Sequence, residues 1–123
     1  MLAQGCGVGV DIVDIARIAR ALSRPGFASR CFTPFERRLC LARKRPEQHF
    51  AARFAAKEAI VKAAGRRLAW QDVELRRSPL GSPLVRLRGR ARQLLRGATV
   101  NVSISHCDCH AAAVALVLRE REQ

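Results

Sequence analysis

Residues 53–65 read Arg-Phe-Ala-Ala-Lys-Glu-Ala-Ile-Val-Lys-Ala-Ala-Gly and place charged side chains inside an apolar helical pattern. At about 100° per residue, Lys57 falls into the apolar stripe of this helix, with Glu58 and Lys62 on its flank. The stripe consists of Phe50, Phe54 and Val61. Three of the 23 basic residues are lysines, and two of these three lie in this segment. Because lysine is a compact point charge that suits phosphate, the segment indicates phosphate chemistry.

The same helix offers a simpler interpretation of its charges. Glu58 and Lys62 are i, i+4 neighbours, so an ordinary helix salt bridge worth about 0.2–0.5 kcal/mol is the alternative. The rest of the helix wall is built of alanines, which are so small that another element must approach closely. These alanines are Ala55, Ala56, Ala59 and Ala63.

A carboxylate at Asp11 follows a short apolar stretch with the pattern of a buried strand. Burial of an unpaired charge is costly, so Asp11 needs a partner. It could cap the helix that follows, since aspartate is a preferred cap residue. Together with Glu58 it would instead supply two oxygen ligands for a hard divalent ion such as Mg²⁺, with open positions for water and phosphate.

A histidine, His106, lies at the end of the strand pattern Val-Ser-Ile-Ser over residues 102–105. It is either a structural residue or a hydrogen-bond donor to phosphate. The following residues give the hairpin tip, defined here as residues 106–110, the sequence His-Cys-Asp-Cys-His. These residue types suit zinc, but the tip lacks the separated ligand pairs of structural zinc sites, and the other interpretation is a tip with exposed thiols.

The net charge of +13 predicts an anionic partner, and 20 of the 23 basic residues are arginines. A basic nucleic-acid-binding module is therefore an alternative function, with phosphate contacts from the arginine run over residues 86–96. Five phenylalanines, one tryptophan and no tyrosine are too few to suggest a stacking platform for single strands. Most charge runs are solvated faces, and the motifs described above also point away from nucleic acid, so we expect no nucleic-acid partner.

The chain of 123 residues has the length of one domain, so we expect a single domain over residues 1–123. We find no uncharged apolar run near the roughly 20 residues that span a bilayer, and no basic region before the first apolar stretch. We therefore expect a cytoplasmic protein with no membrane partner. Five cysteines without framework spacing fit reduced thiols.

The elements that must position these residues follow from periodicity, caps and turns. We predict a strand over 5–13, a helix from Asp14 to Pro25, a helix from Thr33 to about 43–46 and a long helix over 47–64 that Gly65 ends. Two strands over 73–77 and 84–87, a short helix over 90–96 and a hairpin of strands 99–105 and 111–118 complete the chain. The first helix has a basic exposed side formed by Arg17, Arg20 and Arg24.

Four segments in order along nearly the whole chain carry a family resemblance. They are Gly9-x-Asp11 with Arg17 downstream, Phe32-Thr33-x-x-Glu36, the helix segment 53–65, and Ser103-Ile104-Ser105-His106. Together they resemble the holo-[acyl-carrier-protein] synthases, the small 4′-phosphopantetheinyl transferases. The resemblance implies the α+β fold of that family, with a small antiparallel sheet packed with a long central helix and shorter helices.

The resemblance also implies an activity. Such an enzyme transfers 4′-phosphopantetheine from coenzyme A to a serine of apo acyl carrier protein, with Mg²⁺, and releases adenosine 3′,5′-bisphosphate in fatty acid biosynthesis. Asp11 and Glu58 match the metal ligands of the family, and Lys62 and Arg53 match phosphate-binding positions. Glu58 and Lys62 are the implied catalytic residues.

Two further residues, Gly65 and His106, belong to the implied coenzyme A site. The chain departs from the family pattern at Cys107, which separates the histidine from Asp108 where many relatives have aspartate directly after it. A second departure is Phe54, where the wider superfamily often has tryptophan.

Assembly and docking are expected from apolar and basic surfaces. The alanine wall and the apolar run over 111–118 offer more apolar surface than one small sheet covers, which marks an interface. The resemblance implies a homotrimer with active sites between subunits. Acyl carrier proteins are acidic helical bundles, so we expect the partner to dock on Arg17, Arg20 and Arg24.

Overall fold

Two antiparallel sheets and five helices make up the computed structural model, which describes residues 5–119. The strands are β1 (Gly5–Asp14), β2 (Val73–Arg77), β3 (Pro83–Leu87), β4 (Ala98–His106) and β5 (His110–Arg119). The helices are α1 (Ile15–Leu22), α2 (Phe27–Cys31), α3 (Pro34–Leu41), α4 (Pro46–Ala64) and α5 (Gly89–Leu94), with a 3₁₀ turn at Trp70–Asp72. The main sheet has the order β1-β5-β4, and β2 pairs with β3. The predicted α+β fold with a long central helix is confirmed.

Local signals explain where the helices begin and end. The Asp14 side chain accepts a hydrogen bond from the Ala16 N–H and caps α1. Thr33 and Glu36 form a complete capping box at the start of α3. Gly65 ends α4 with a φ of 66°, a left-handed conformation that glycine adopts without steric cost. The five-residue helix α2 was not predicted, because so short a segment shows no periodicity.

The alanine wall of helix α4 lies so close to β1 that the backbones of the helix and the strand are in contact. A Cβ atom on Gly9 would lie 2.0 Å from the Ala59 carbonyl oxygen, and one on Gly7 would lie 1.9 Å from the Ala63 carbonyl oxygen. The close approach expected from the alanines is therefore present, and β1 is the element that makes it.

The expectation that the alanine wall forms part of an intersubunit interface is wrong, because β1 covers this wall within the chain. Ala55 and Ala59 have no exposed surface. Apolar side chains are instead exposed on the opposite face of the main sheet. They are Val8, Val10, Ile12, Val114 and Leu118, which are 40–65% exposed. This set is called the outer sheet face below.

Among the helices of residues 5–119, none is both long enough and apolar enough to cross a membrane.

Replacement of Gly9 by alanine tests the contact between β1 and α4. The new Cβ would collide with the Ala59 carbonyl oxygen and with the Ala63 nitrogen, 2.0 and 2.7 Å away, so the helix must move from the strand. We expect a loss of about 3 kcal/mol in the free energy of unfolding, measured by urea denaturation. The control Thr99→Ala, at an exposed position of β4, should cost less than about 1 kcal/mol. Equal stability of Gly9→Ala and the wild type would contradict the contact.

Candidate functional site

Lys62 on α4 contacts β1 next to the place where Gly7 and Gly9 lie against the helix. Its Nζ donates hydrogen bonds to the Val10 carbonyl oxygen at 2.9 Å and to Asp11 Oδ1 at 3.2 Å. The alternative of an i, i+4 salt bridge between Glu58 and Lys62 is wrong, because within residues 5–119 the ion pair of Lys62 is with Asp11. The lysine therefore joins the strand to the helix and places its amino group next to a carboxylate.

Asp11 lies inside β1, three residues before its end, rather than at the end of the strand. It does not cap α1, since Asp14 does. Its Oδ2 atom is buried and has no hydrogen-bond partner within the described part of the chain. An orphaned carboxylate oxygen of this kind is costly unless a cation or donor reaches it.

Asp11 and Glu58 line the same cavity of about 330 Å³. Burial raises the pKa of the Glu58 carboxyl above its usual value, the nearby Asp11 raises it further, and Lys62 lowers it. Two carboxylates thus lie near one ammonium group, that of Lys62, which pairs with Asp11. Two carboxylates with open positions beside them suit a hard divalent ion such as Mg²⁺, so the residues present fit this ion.

Two of the three arginines predicted on the first helix line this cavity, although α1 ends at Leu22 and leaves Arg24 in the turn that follows. Arg17 and Arg24 are among its lining residues, together with the aromatic rings of Phe27 and Phe54. Arg20 is exposed on α1 but does not line the cavity. The basic side of α1 therefore lies next to the two carboxylates.

Arg53 and His106 line a different cavity, of about 220 Å³. The ring centroids of His106 and His49 are 6.5 Å apart there. Arg53 is buried, its Nη1 donates to the His49 carbonyl oxygen at 3.4 Å, and its buried Nε has no partner within the described residues. Gly65 lines neither cavity. Within one chain, the structure therefore separates the predicted site residues into a carboxylate half around Asp11 and an Arg53–His106 half.

Lys57 has a role that the sequence interpretation missed. Its side chain is 1% exposed, so Lys57 takes no part in the phosphate chemistry expected of its segment. Nζ donates to Glu36 Oε1 at 2.7 Å, to the Cys31 carbonyl oxygen at 2.8 Å and to the Trp70 carbonyl oxygen at 2.9 Å. Burial lowers the pKa of Lys57, and Glu36 opposes this effect. The ammonium group thus ties α2, α3 and the 3₁₀ turn to α4.

The segments that Lys57 holds carry an aromatic wall beside Glu58. Phe54 stacks on Trp70 with ring centroids 4.9 Å apart and on Phe27 with centroids 6.1 Å apart. Trp70 lines a further cavity of about 610 Å³, which Glu58 also lines. Lys57 binds the carbonyl of Trp70 itself and that of Cys31 at the end of the helix carrying Phe27. The signals that could have revealed this role were an isolated charge in an apolar stripe and a glutamate in the Phe32-Thr33-x-x-Glu36 segment.

The zinc interpretation of the hairpin tip has no support in the structure. Between residues 5 and 119, no three His, Cys, Asp or Glu side chains are placed so that they could hold a metal ion. The arginine run is also partly engaged within the chain, because Arg88 forms an ion pair with the buried Glu74.

Comparisons with known proteins agree in pointing to one family. The model of the 4′-phosphopantetheinyl transferase superfamily matches residues 7–115. The holo-[acyl-carrier-protein] synthase of Moorella thermoacetica is 51% identical over 116 residues, which cover 89% of this chain and 91% of the relative.

Solved structures show the same similarity. The ACPS–CoA complex of Chronobacterium ammoniagenes superposes with a TM-score of 0.83 at 32% identity, over 96% of this chain and 100% of the other. The holo-(acyl-carrier-protein) synthase of Bacillus anthracis, in complex with CoA (3′,5′-ADP), gives a TM-score of 0.80 at 31% identity, over 93% and 96% of the two chains.

A double-mutant cycle tests the buried pair of Lys57 and Glu36. Lys57→Met leaves the Glu36 carboxylate buried without its cation, and we expect a loss of about 3–5 kcal/mol in the free energy of unfolding. The double variant Lys57→Met/Glu36→Gln should lose less than the sum of the two single variants, because it removes both charges. Lys44→Met, at an exposed lysine, is the matched control and should change stability little. Additive losses in the cycle would show that the two groups are not coupled.

Proposed function

This chain belongs to the 4′-phosphopantetheinyl transferase superfamily, and from that premise we propose that its chemistry takes place at the cavity of Asp11 and Glu58. The enzyme transfers 4′-phosphopantetheine from coenzyme A to apo acyl carrier protein. This location of the reaction is supported by the pair of carboxylates next to the basic side of α1. One of them has a buried oxygen without a hydrogen-bond partner in the described structure. The acceptor on the carrier protein is a serine, and the second product is adenosine 3′,5′-bisphosphate.

Asp11 and Glu58 would hold a Mg²⁺ ion. The orphaned Oδ2 of Asp11 and the presence of Glu58 in the same cavity support this assignment. When bound, the ion supplies Lewis-acid polarisation of the pyrophosphate of coenzyme A. The nucleophile belongs to the carrier protein, so the site needs no nucleophile of its own.

Lys62 and Glu58 carry the remaining chemistry at this half of the site. Lys62 is held by the Val10 carbonyl and by Asp11, so its charge stays in place to bind the pyrophosphate and to stabilise the developing negative charge. Glu58 accepts the serine proton, directly or through a water. Its raised pKa makes it a better base than an ordinary glutamate.

Arg53, Gly65 and His106 contribute to coenzyme A binding. Arg53 offers a buried Nε without a partner in the described structure, which suits a phosphate oxygen. Arg53 and His106 lie in a different cavity from Asp11, so a complete site needs both halves from two chains. A homotrimer built through the outer sheet face would supply such a neighbour and cover its exposed apolar side chains.

The carrier protein docks on α1. Arg17 on α1 and Arg24 in the turn after it line the carboxylate cavity, and Arg20 is exposed on α1, so an acidic helical partner would place its serine close to Glu58. The cellular setting is the cytoplasm, where the transfer serves fatty acid biosynthesis.

The function is tested by incubation of the enzyme with coenzyme A, Mg²⁺ and candidate apo carrier proteins. Intact-protein mass spectrometry should show the gain of one phosphopantetheine on the carrier protein. Glu58→Ala should lower turnover by about two orders of magnitude or more, because it removes both a metal ligand and the base. The matched control is Glu47→Ala, a carboxylate of the same helix outside the cavity. A folded Glu58→Ala variant with near-normal turnover at limiting Mg²⁺ would remove Glu58 from the mechanism.

Charge reversal at three arginines on α1 and just after it tests the docking surface. Arg17→Glu, Arg20→Glu or Arg24→Glu should raise the KM for the carrier protein about tenfold at low ionic strength and leave the KM for coenzyme A nearly unchanged. The effect should shrink as salt is added, since salt screens exposed charges. Arg96→Glu, at an exposed arginine just beyond α5, is the control. Equal effects on both substrates would place the α1 arginines elsewhere in the reaction.

Assembly is tested by light scattering and by subunit mixing. We expect about three times the chain mass of 13.6 kDa. Chains carrying Glu58→Ala and chains carrying His106→Ala should each be inactive, and their mixture should regain activity because some sites then receive both intact halves. A fully active monomer would overturn the trimer. Proven subunit exchange without recovered activity would place His106 and Glu58 in the same chain's site.

A further inference from the structure

The transfer chemistry proposed above uses neither of the two thiols at the hairpin tip. Cys107 and Cys109 are both free and exposed, and they flank Asp108 where the chain bends between β4 and β5. The Cys107 N–H donates to the His110 carbonyl oxygen at 2.9 Å, which closes the turn. The hydrogen bond leaves Asp108 and Cys109 at the apex of the turn.

The spacing of the two cysteines permits a bond between their sulfur atoms. Two Cα atoms two residues apart are at most about 7.6 Å from each other, and a bend shortens this distance. Disulfides form at Cα separations of about 4.4–6.8 Å, a range that a bent tip reaches. The resulting ring is small and exposed, and bonds of this kind are readily reduced again.

The tip is connected to both halves of the site. The Ile15 N–H, at the start of α1, donates to the Cys109 carbonyl oxygen at 2.8 Å. His106, directly before Cys107, lines the cavity of Arg53. A change of backbone conformation between residues 107 and 109 would therefore disturb the docking helix and the position of His106 together.

The two buried cysteines are poorly placed to react. Cys31 and Cys40 are buried, and burial raises the pKa of Cys31 above its usual value and that of Cys40 to about 11. Both stay protonated at neutral pH, and the thiolate is the reactive form. Cys6 is exposed, but it lies in β1, where it pairs with Leu118 of β5.

We propose that Cys107 and Cys109 form a reversible intrachain disulfide that lowers transferase activity. The effect on activity rests on the function proposed above, whereas the bond itself does not. The oxidant is a low-molecular-weight disulfide of the glutathione class. One cysteine thiolate attacks a sulfur of the oxidant, whose S–S bond breaks and releases one glutathione thiol. The second thiolate attacks the mixed disulfide and releases the other, so two electrons and the two thiol protons leave the protein with two glutathione molecules.

The experiment treats the full-length reduced enzyme with oxidised glutathione. Intact mass should fall by two hydrogens per chain, and peptide mapping should assign the new bond to Cys107 and Cys109. The value of kcat/KM for transfer should fall about fivefold, as for the loss of one hydrogen bond at the start of α1, and dithiothreitol should restore it. Cys107→Ser/Cys109→Ser should keep its activity under the same treatment, and Cys6→Ser should behave like the wild type.

Several outcomes would overturn the proposal. They are a glutathione adduct without ring closure, a bond between chains through Cys6, and a mapped disulfide that leaves kcat/KM unchanged. A loss of activity that persists in Cys107→Ser/Cys109→Ser would also overturn it. A reduced enzyme that modifies no carrier protein would overturn the proposed function instead, while the mass and the mapped bond would still decide whether the disulfide forms.

Discussion

The site depends on one constraint, which is the direct contact between the backbones of β1 and α4. Gly7 and Gly9 have no side chains, so the strand lies directly on the alanine wall of the helix. The chain then continues to Asp11 at the point where Lys62 reaches across from the helix and binds it at 3.2 Å. Glu58, one turn before Lys62 on the same helix, lines the cavity beside Asp11. Because Gly7 and Gly9 have no side chains, the strand and the helix approach closely enough to bring together two carboxylates that are 47 positions apart in the sequence.

Two carboxylates with buried oxygens, Glu36 and Asp11, differ in whether their hydrogen bonds are complete. Glu36 is completely buried, yet it accepts hydrogen bonds from Lys57, from the Thr33 N–H and from the Leu75 N–H. Asp11 has one oxygen bound to Lys62 and the other buried without a partner in the described structure. Because a buried polar atom is costly unless it is satisfied, the first arrangement stabilises the fold and the second leaves room for a ligand. The unsatisfied oxygen of Asp11 therefore marks the site more clearly than the charge of Asp11 does.

Local patterns predicted most of the fold, because caps and turns act over a few residues. The long helix, its end at Gly65 and the hairpin of β4 and β5 were all predicted. The partner of Lys57 was not, since Glu36 lies 21 positions away and helical periodicity carries no information about it. The separation of His106 from the carboxylates had no local signal either, and it was expected only from the active sites between subunits that the resemblance implies. The alanine pattern alone did not show which face of the main sheet is exposed, because that depends on how closely β1 packs against α4.

The central claim is that Asp11 and Glu58 together hold one divalent cation, and Mn²⁺ binding measured by electron paramagnetic resonance tests it without any substrate. The free Mn²⁺ signal should fall by one equivalent per chain for the wild type and for the control Glu47→Gln. Asp11→Asn and Glu58→Gln should each lose most of this binding, because each removes one of two charged ligands. Circular dichroism would establish that the variants are folded. Unchanged Mn²⁺ binding by a folded Glu58→Gln variant would contradict the claim.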